Sequence, residues 1–419
     1  MKILFISPNS PKISIGGIER YIKNLIQFCR YLDNDEFLFL LPSNGKEYFE
    51  QKGKVTILEK NFLSLPYRKR RSLENKKMSS KEVSRKSKDF FNFLLSLLRR
   101  EKIDLVSAQN FHLGLPPAYS LMLNMACFSN QTPVVLRIHS FSKKPIHEEV
   151  INQLLWKKVI CVSKSVAGDC FQKGTDINKL TTNYLGVDTN GFSPNLDKTW
   201  LKRRLSLSTK NRVILLASRL ITGPRESLKE KGILDMIETF SKVSPRYSDL
   251  RLVIAAAKPP KRLMKEFDEA REKLNGFVKL HNVEGKVLCR TFSLEQMPRV
   301  YSGADVFALP SENETFGQVY IEAMACATPV IGTKVGGVPE IITDGYDGFL
   351  IPPNDPSLLA QKVEELINNQ NLKKQFTQNA LGTISKKFSA QKQFGRLFAR
   401  FEKLSVANWK LKKNEQNET

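Results

Sequence analysis

The chain is 419 residues long, too long for one hydrophobic core and of a size for two ordinary domains. Its 41% hydrophobic and 26% charged residues match a globular protein, and no apolar run approaches the roughly 20 residues a membrane-spanning helix needs. The net charge of +24, from 66 basic and 42 acidic side chains, predicts an anionic partner: nucleic acid, an acidic membrane surface, or an anionic glycan or glycolipid.

Met1-Lys2-Ile3-Leu4-Phe5-Ile6 opens the chain with an apolar run too short for a signal peptide, so residues 2–7 read as a first core strand. Ile15-Gly16-Gly17-Ile18-Glu19-Arg20 follows, a glycine pair before a helix over 19–31. Glycine permits close backbone approach and a helix start offers amides to an anion, yet a plain turn explains the pair equally well. Asp33-Asn34-Asp35 has the form of a metal-binding aspartate pair but ends a helix, which makes it a turn.

Apolar runs at 37–41, 104–108, 134–138 and 159–162 read as further strands. Their alternation with helices predicts a parallel sheet covered on both faces. Residues 66–88 concentrate Arg68, Lys69, Arg70, Arg71, Lys76, Lys77, Lys81, Arg85, Lys86 and Lys88 against Glu74 and Glu82. This basic insertion reads as a solvated loop able to hold the protein on anionic headgroups. His139 follows the strand at 134–138, and Ser163-Lys164-Ser165 reads as a helix cap.

The strand pattern restarts at 212–217, 250–256, 286–289, 305–309 and 329–332. We therefore place a domain boundary near 190–208 and divide the chain into 1–195, 196–387 and a tail, 388–419. Arg219 ends the first strand of the second set, and Lys231-Gly232 opens the next helix; a guanidinium and an ammonium that converge suit a diphosphate. Lys229 competes with Lys231 for that role. Pro310 stops the strand at 305–309, so Ser311 to Thr315 form a loop at a strand's C-terminal end, where doubly wound sheets bind ligands. A helix expected from Thr315 or Phe316 puts Glu314 at its mouth and Glu322 two turns inside, about 12 Å apart, with the amides of Phe316 and Gly317 facing oxygens. A glutamate among Ile321, Ala323, Met324 and Ala325 needs a partner. Phe394, Leu397, Phe398, Phe401 and Leu404 recur at helical spacing in the tail. Six cysteines and four histidines lack metal-ligand spacing, so no metal and a reducing, cytoplasmic setting are expected.

The run Ser311-Glu312-Asn313-Glu314-Thr315-Phe316-Gly317, Glu322-Ala323-Met324-Ala325, Gly336-Gly337-Val338-Pro339-Glu340 and Gly348-Phe349-Leu350 with Pro352 closely resembles retaining glycosyltransferases of the GT-B fold, of the large family 4, group 1 type. The resemblance covers nearly the whole chain. It implies an α/β protein of two Rossmann-like doubly wound domains, the first binding an acceptor, the second a nucleotide-sugar, with the last helix crossing back. It further implies that Glu314 contacts the donor sugar, Glu322 binds the ribose, and Arg219 and Lys231 neutralise the diphosphate. His139 would lie near the sugar, and Gly16 and Gly17 would line the cleft.

The implied reaction moves a sugar, UDP-linked hexose by preference, to a hydroxyl of a glycan or glycolipid acceptor without a cofactor, at the cytoplasmic side and on the inner membrane face through residues 66–88. Two departures stand out: Leu185 replaces the usual asparagine before Gly186, and the loop from Leu220 to Glu230 is longer than usual. The alternatives are sugar-nucleotide epimerisation on the same fold, or a non-catalytic basic protein binding membrane or nucleic acid. Nucleic acid is disfavoured because the basic stretch carries little aromatic surface beyond Tyr67.

Overall fold

A computed structural model describes residues 1–13, 16–43, 45–64, 79–140, 144–222, 227–260 and 263–405. The chain forms two compact units, one of Met1–Tyr184 with Phe394 onward, the other of Leu185–Gln393. The division thus follows Tyr184, ahead of the 195 read from sequence, and the tail joins the first unit at Phe394 rather than 388.

The first unit holds an eight-stranded sheet. Its strands are β1 (Lys2–Ile6), β2 (Glu36–Pro42), β3 (Tyr48–Lys52), β4 (Val55–Lys60), β5 (Leu105–Gln109), β6 (Val134–Ile138), β7 (Lys158–Cys161) and β8 (Leu180–Thr182), in the order β3-β4-β2-β1-β5-β6-β7-β8. Every pairing is parallel except β3 with β4. β1, β2, β5 and β6 are buried almost throughout, the pattern of strands covered on both faces. Chain order reverses between β1 and β5, which makes their C-terminal ends a switch point where ligands bind in such sheets.

Helix Gly17–Cys29 starts two residues earlier than expected and buries Tyr21, Ile22 and Leu25. Ser163 caps its helix as predicted, accepting from the Val166 amide at 3.1 Å. Asp33-Asn34-Asp35 lies in a turn, and Asp35 pairs with the chain's terminal amine at 2.9 Å.

The basic insertion is a loop only in expectation. Residues 66–78 lie outside the described residues, and from Ser79 the chain is capped and enters the helix Ser80–Glu101. Its buried Phe90, Leu94, Leu97 and Leu98 recur at three- and four-residue intervals, and this downstream stripe draws the basic residues 81–88 into the helix. The last helix, Ala390–Leu404, buries Phe394, Leu397 and Phe401, and its rings meet Phe5, Phe28 and Phe37.

The second unit is a six-stranded parallel sheet of β9 (Arg212–Ser218), β10 (Leu250–Ala257), β11 (Val287–Phe292), β12 (Val306–Leu309), β13 (Val330–Thr333) and β14 (Phe349–Ile351), in the order β11-β10-β9-β12-β13-β14. Here the switch point falls between β9 and β12. Among the described residues no helix is long and apolar enough to cross a membrane, and no group of three His, Cys, Asp or Glu side chains is placed to hold a metal ion.

Candidate active site

The loops after β9, β12 and β13 lie side by side at one sheet edge, and backbone approach locks them together. Gly232, between β9 and its helix, has φ +61, and a Cβ there would lie 2.0 Å from the Pro310 carbonyl oxygen. The Glu312 amide donates to the Glu230 carbonyl at 2.9 Å, and Thr333 Oγ1 donates to the Ser311 carbonyl at 2.6 Å. On the β13 side Gly336 has φ +50, a Cβ would come within 1.6 Å of the Glu314 carbonyl oxygen, and the Gly337 amide donates to that same oxygen at 3.1 Å. Only glycine fits either position.

These contacts hold Glu314 against Lys231. Lys231 Nζ stands 2.9 Å from Glu314 Oε2 and donates to the Asn313 carbonyl at 2.9 Å; both side chains keep a small exposed fraction, 16% and 17%. Lys229 points to solvent. Sequence reading paired Lys231 with Arg219, whereas the structure pairs it with Glu314. Arg219, directly after β9, is exposed and makes no hydrogen bond or ion pair among the described residues. The expected helix start is corrected on both sides. A short helix, Ser227–Glu230, precedes Lys231 and the next helix begins at Ile233. The helix after Glu314 begins only at Gln318, with Gly317 at φ +101 as its cap. Glu314 therefore sits in a loop, and the helical spacing from Glu314 to Glu322 does not apply.

Phe316 is buried, its ring centroid 6.0 Å from that of Phe388. Glu322 is 1% exposed, deeper than a carboxylate on a helix surface, and Tyr301 Oη donates to its Oε2 at 3.0 Å. Tyr301 was not anticipated; the signal was present as a tyrosine next to Val300 and one turn from Met297, on the apolar side of a short helix, since a buried phenol needs a hydrogen-bond partner. Tyr320 donates to the Leu309 carbonyl, and burial, with the charge of Glu314, pushes its phenol well above the usual value.

Gly16, Gly17 and His139 belong to the first unit. Gly16 is extended, and Gly17 begins the helix after β1. The Glu19 carboxylate fills the space in front of Gly16 and accepts from Asn9 Nδ2 at 2.9 Å, so this helix start already faces an anion of the chain's own. His139 is 5% exposed, its amide donating to Asn110 Oδ1 at 3.1 Å. Gln109 donates from Nε2 to Ser107 Oγ at 2.8 Å, which leaves its Oε1 to accept from His139 Nε2 at 3.2 Å and assigns the proton to that nitrogen. Burial, reinforced by Arg137 and His112, holds His139 well below the ordinary histidine value. The imidazole is thus neutral, which suits a hydrogen-bonding role better than acid–base work.

Two family models divide the chain between them, Glycosyltransferase Family 4 over residues 15–190 and Glycosyl transferases group 1 over 201–382. The chain belongs to the group 1, family 4 type of glycosyltransferases. An uncharacterized glycosyltransferase of Methanocaldococcus jannaschii is 40% identical over 121 residues, a stretch that covers 29% of this chain and 34% of that relative's length. The fold is GT-B. A glycosyltransferase of Rickettsia africae ESF-5 superposes with a TM-score of 0.76 at 18% identity, over 96% of this chain and 98% of the other. HepE of Anabaena, solved in complex with UDP and glucose, gives a TM-score of 0.72 at 20% identity, covering 96% of this glycosyltransferase and all of HepE (100%).

Proposed function

We propose that this glycosyltransferase moves a sugar from a nucleotide-sugar donor, a UDP-hexose, to an acceptor hydroxyl with retention of configuration, in the synthesis of a surface polysaccharide or glycolipid. The observation that carries the reading is the Lys231–Glu314 pair, 2.9 Å apart and built onto the switch point of the second sheet by Gly232 and Gly336. A donor offers that pair two complementary groups, sugar hydroxyls for the carboxylate and a diphosphate for the ammonium. Arg219, exposed directly after β9 of the same sheet, adds a second cation for the leaving diphosphate. Glu322, braced by Tyr301, takes the ribose hydroxyls. HepE's complex with UDP and glucose supports a uridine donor. His139 contributes as a neutral hydrogen-bonding group, and residues 66–88 hold the enzyme on anionic lipid at the inner membrane face.

The test is to incubate the purified protein with UDP-, GDP- and ADP-sugars and follow release of the nucleoside diphosphate. UDP-hexose should release UDP slowly by hydrolysis, and faster with acceptor present as the sugar passes to the acceptor hydroxyl. Arg219→Ala should chiefly slow turnover, while Glu322→Gln should chiefly weaken donor binding; near-wild-type turnover in the arginine variant would remove Arg219 from the mechanism. Sedimentation of the same protein with anionic vesicles, with and without residues 66–88, checks the membrane assignment, which equal pelleting would end.

A further inference from the structure

A groove of about 540 Å³ runs along the first unit beside the helix Gly17–Cys29. One end lies at the C-terminal edge of the sheet. Ser10, from the loop after β1, and Glu59, near the end of β4, are both buried there, and Lys12 Nζ sits 3.1 Å from Glu59 Oε1. The middle is apolar. Leu41 and Ile57 form the floor, and Ile26 closes the helix side. The far end opens between Arg30 and Tyr31, whose ring is 75% exposed.

The surroundings have a consistent chemistry. Lys12, Lys23, Arg30 and Lys52 stand against two carboxylates, Glu50 and Glu59; Arg30 lies 3.4 Å and Lys52 2.7 Å from Glu50. Tyr48 and Phe49, on the edge strand β3, are 40% and 63% exposed, and Lys12 lies 3.5 Å above the Tyr48 ring centroid. Aromatic side chains with an apolar body, mixed with lysine and arginine, characterise surfaces that meet the lipid–water interface. An apolar track with cations at both ends requires an occupant that is itself apolar in the middle. It also calls for negative charge on that occupant.

We propose that this groove binds a single-chain anionic amphiphile, a lipid carrying a phosphate head, with the head beside Ser10 and Lys12 and the chain over Leu41 and Ile57 toward Tyr31. The head end coincides with the sheet edge at which the acceptor of the proposed reaction is expected, so the ligand class is that of a lipid-linked acceptor. That last step rests on the proposed function; the binding itself does not.

Calorimetric titration of the full chain with dodecyl phosphate below its micellar concentration tests the binding without any transfer assay. Dodecyl phosphate should bind at least about tenfold more tightly than either inorganic phosphate, which lacks the chain, or dodecyl maltoside, which lacks the charge. Gln27→Trp, an exposed position on the helix side, should block the track, and Lys12→Glu should reverse the charge at the head end; each should weaken binding about tenfold or more. Equal affinity for the neutral detergent, or no loss in both variants, overturns the proposal. Binding with no activity toward any nucleotide-sugar would leave the groove standing and defeat the transferase reading instead.

Discussion

Gly336 shows how much a single position can determine here. Its φ of +50 is left-handed, and any Cβ would lie 1.6 Å from the oxygen of Glu314, so a side chain forces the two loops apart. Gly345, with φ +73 and nothing within 4 Å, carries the conformational demand without the close approach. Gly345→Ala should therefore cost about 1–2 kcal/mol of strain. Gly336→Ala should cost more than that, about 3 kcal/mol, and weaken nucleotide binding because Glu314 and Lys231 lose their register. Urea denaturation and nucleotide titration of the two variants separate the effects; equal losses in both would show that the backbone contact is unimportant. Neither contact was readable from sequence. The glycine pair at 336–337 is conspicuous, but its target lies more than twenty residues earlier, and the Lys231–Glu314 pair joins positions 83 apart. Residue types pointed to the chemistry, while the partners emerged only from the fold.

Among elements, strands with unbroken apolar runs were legible and strands without them were not. β9 and β12 are buried on both faces and read directly as apolar segments. β3 and β4 were missed because β4 alternates buried and half-buried residues and β3 is largely exposed, so neither forms an apolar run. β14 has only three residues. The last helix was legible by its spacing, and its burial has an energetic corollary. Phe401 is fully buried, with its ring centroid 6.1 Å from that of Phe5. Phe401→Ala should destabilise the first unit by about 3–5 kcal/mol, although the substitution lies at the opposite end of the chain from β1. Hydrogen exchange of the amides in β1 and β2 should report it; unchanged protection there would show that the helix does not support those strands.

For the whole molecule, buried neutral histidines make stability depend on pH on the acid side of neutrality. His112 is fully enclosed, its Nε2 3.2 Å from the Ser140 carbonyl, and burial lowers its pKa from 6.5 to about 3. Between those values the unfolded chain takes up a proton that the folded chain refuses, so stability rises with pH across this window. The contribution is complete above 6.5 and is lost as pH falls toward 3, at about 1.4 kcal/mol per pH unit. His112→Gln should flatten the dependence of unfolding free energy on pH between 6.5 and 5 by about that slope. An identical slope in the variant would place the acid sensitivity elsewhere, His139 being the next candidate.

The membership of the last helix also bears on how the protein is made. A ribosome delivers β1 and β2 well before Phe394 to Leu404, so the rings of Phe5 and Phe37 wait for their cover while the whole second unit is synthesised. During that interval the nascent first unit exposes an aromatic surface that no neighbouring segment in sequence can shield, and it is then that chaperones have most to bind. Maturation of the first unit thereby waits on synthesis of the second, and a chain interrupted before Phe394 leaves these strands uncovered.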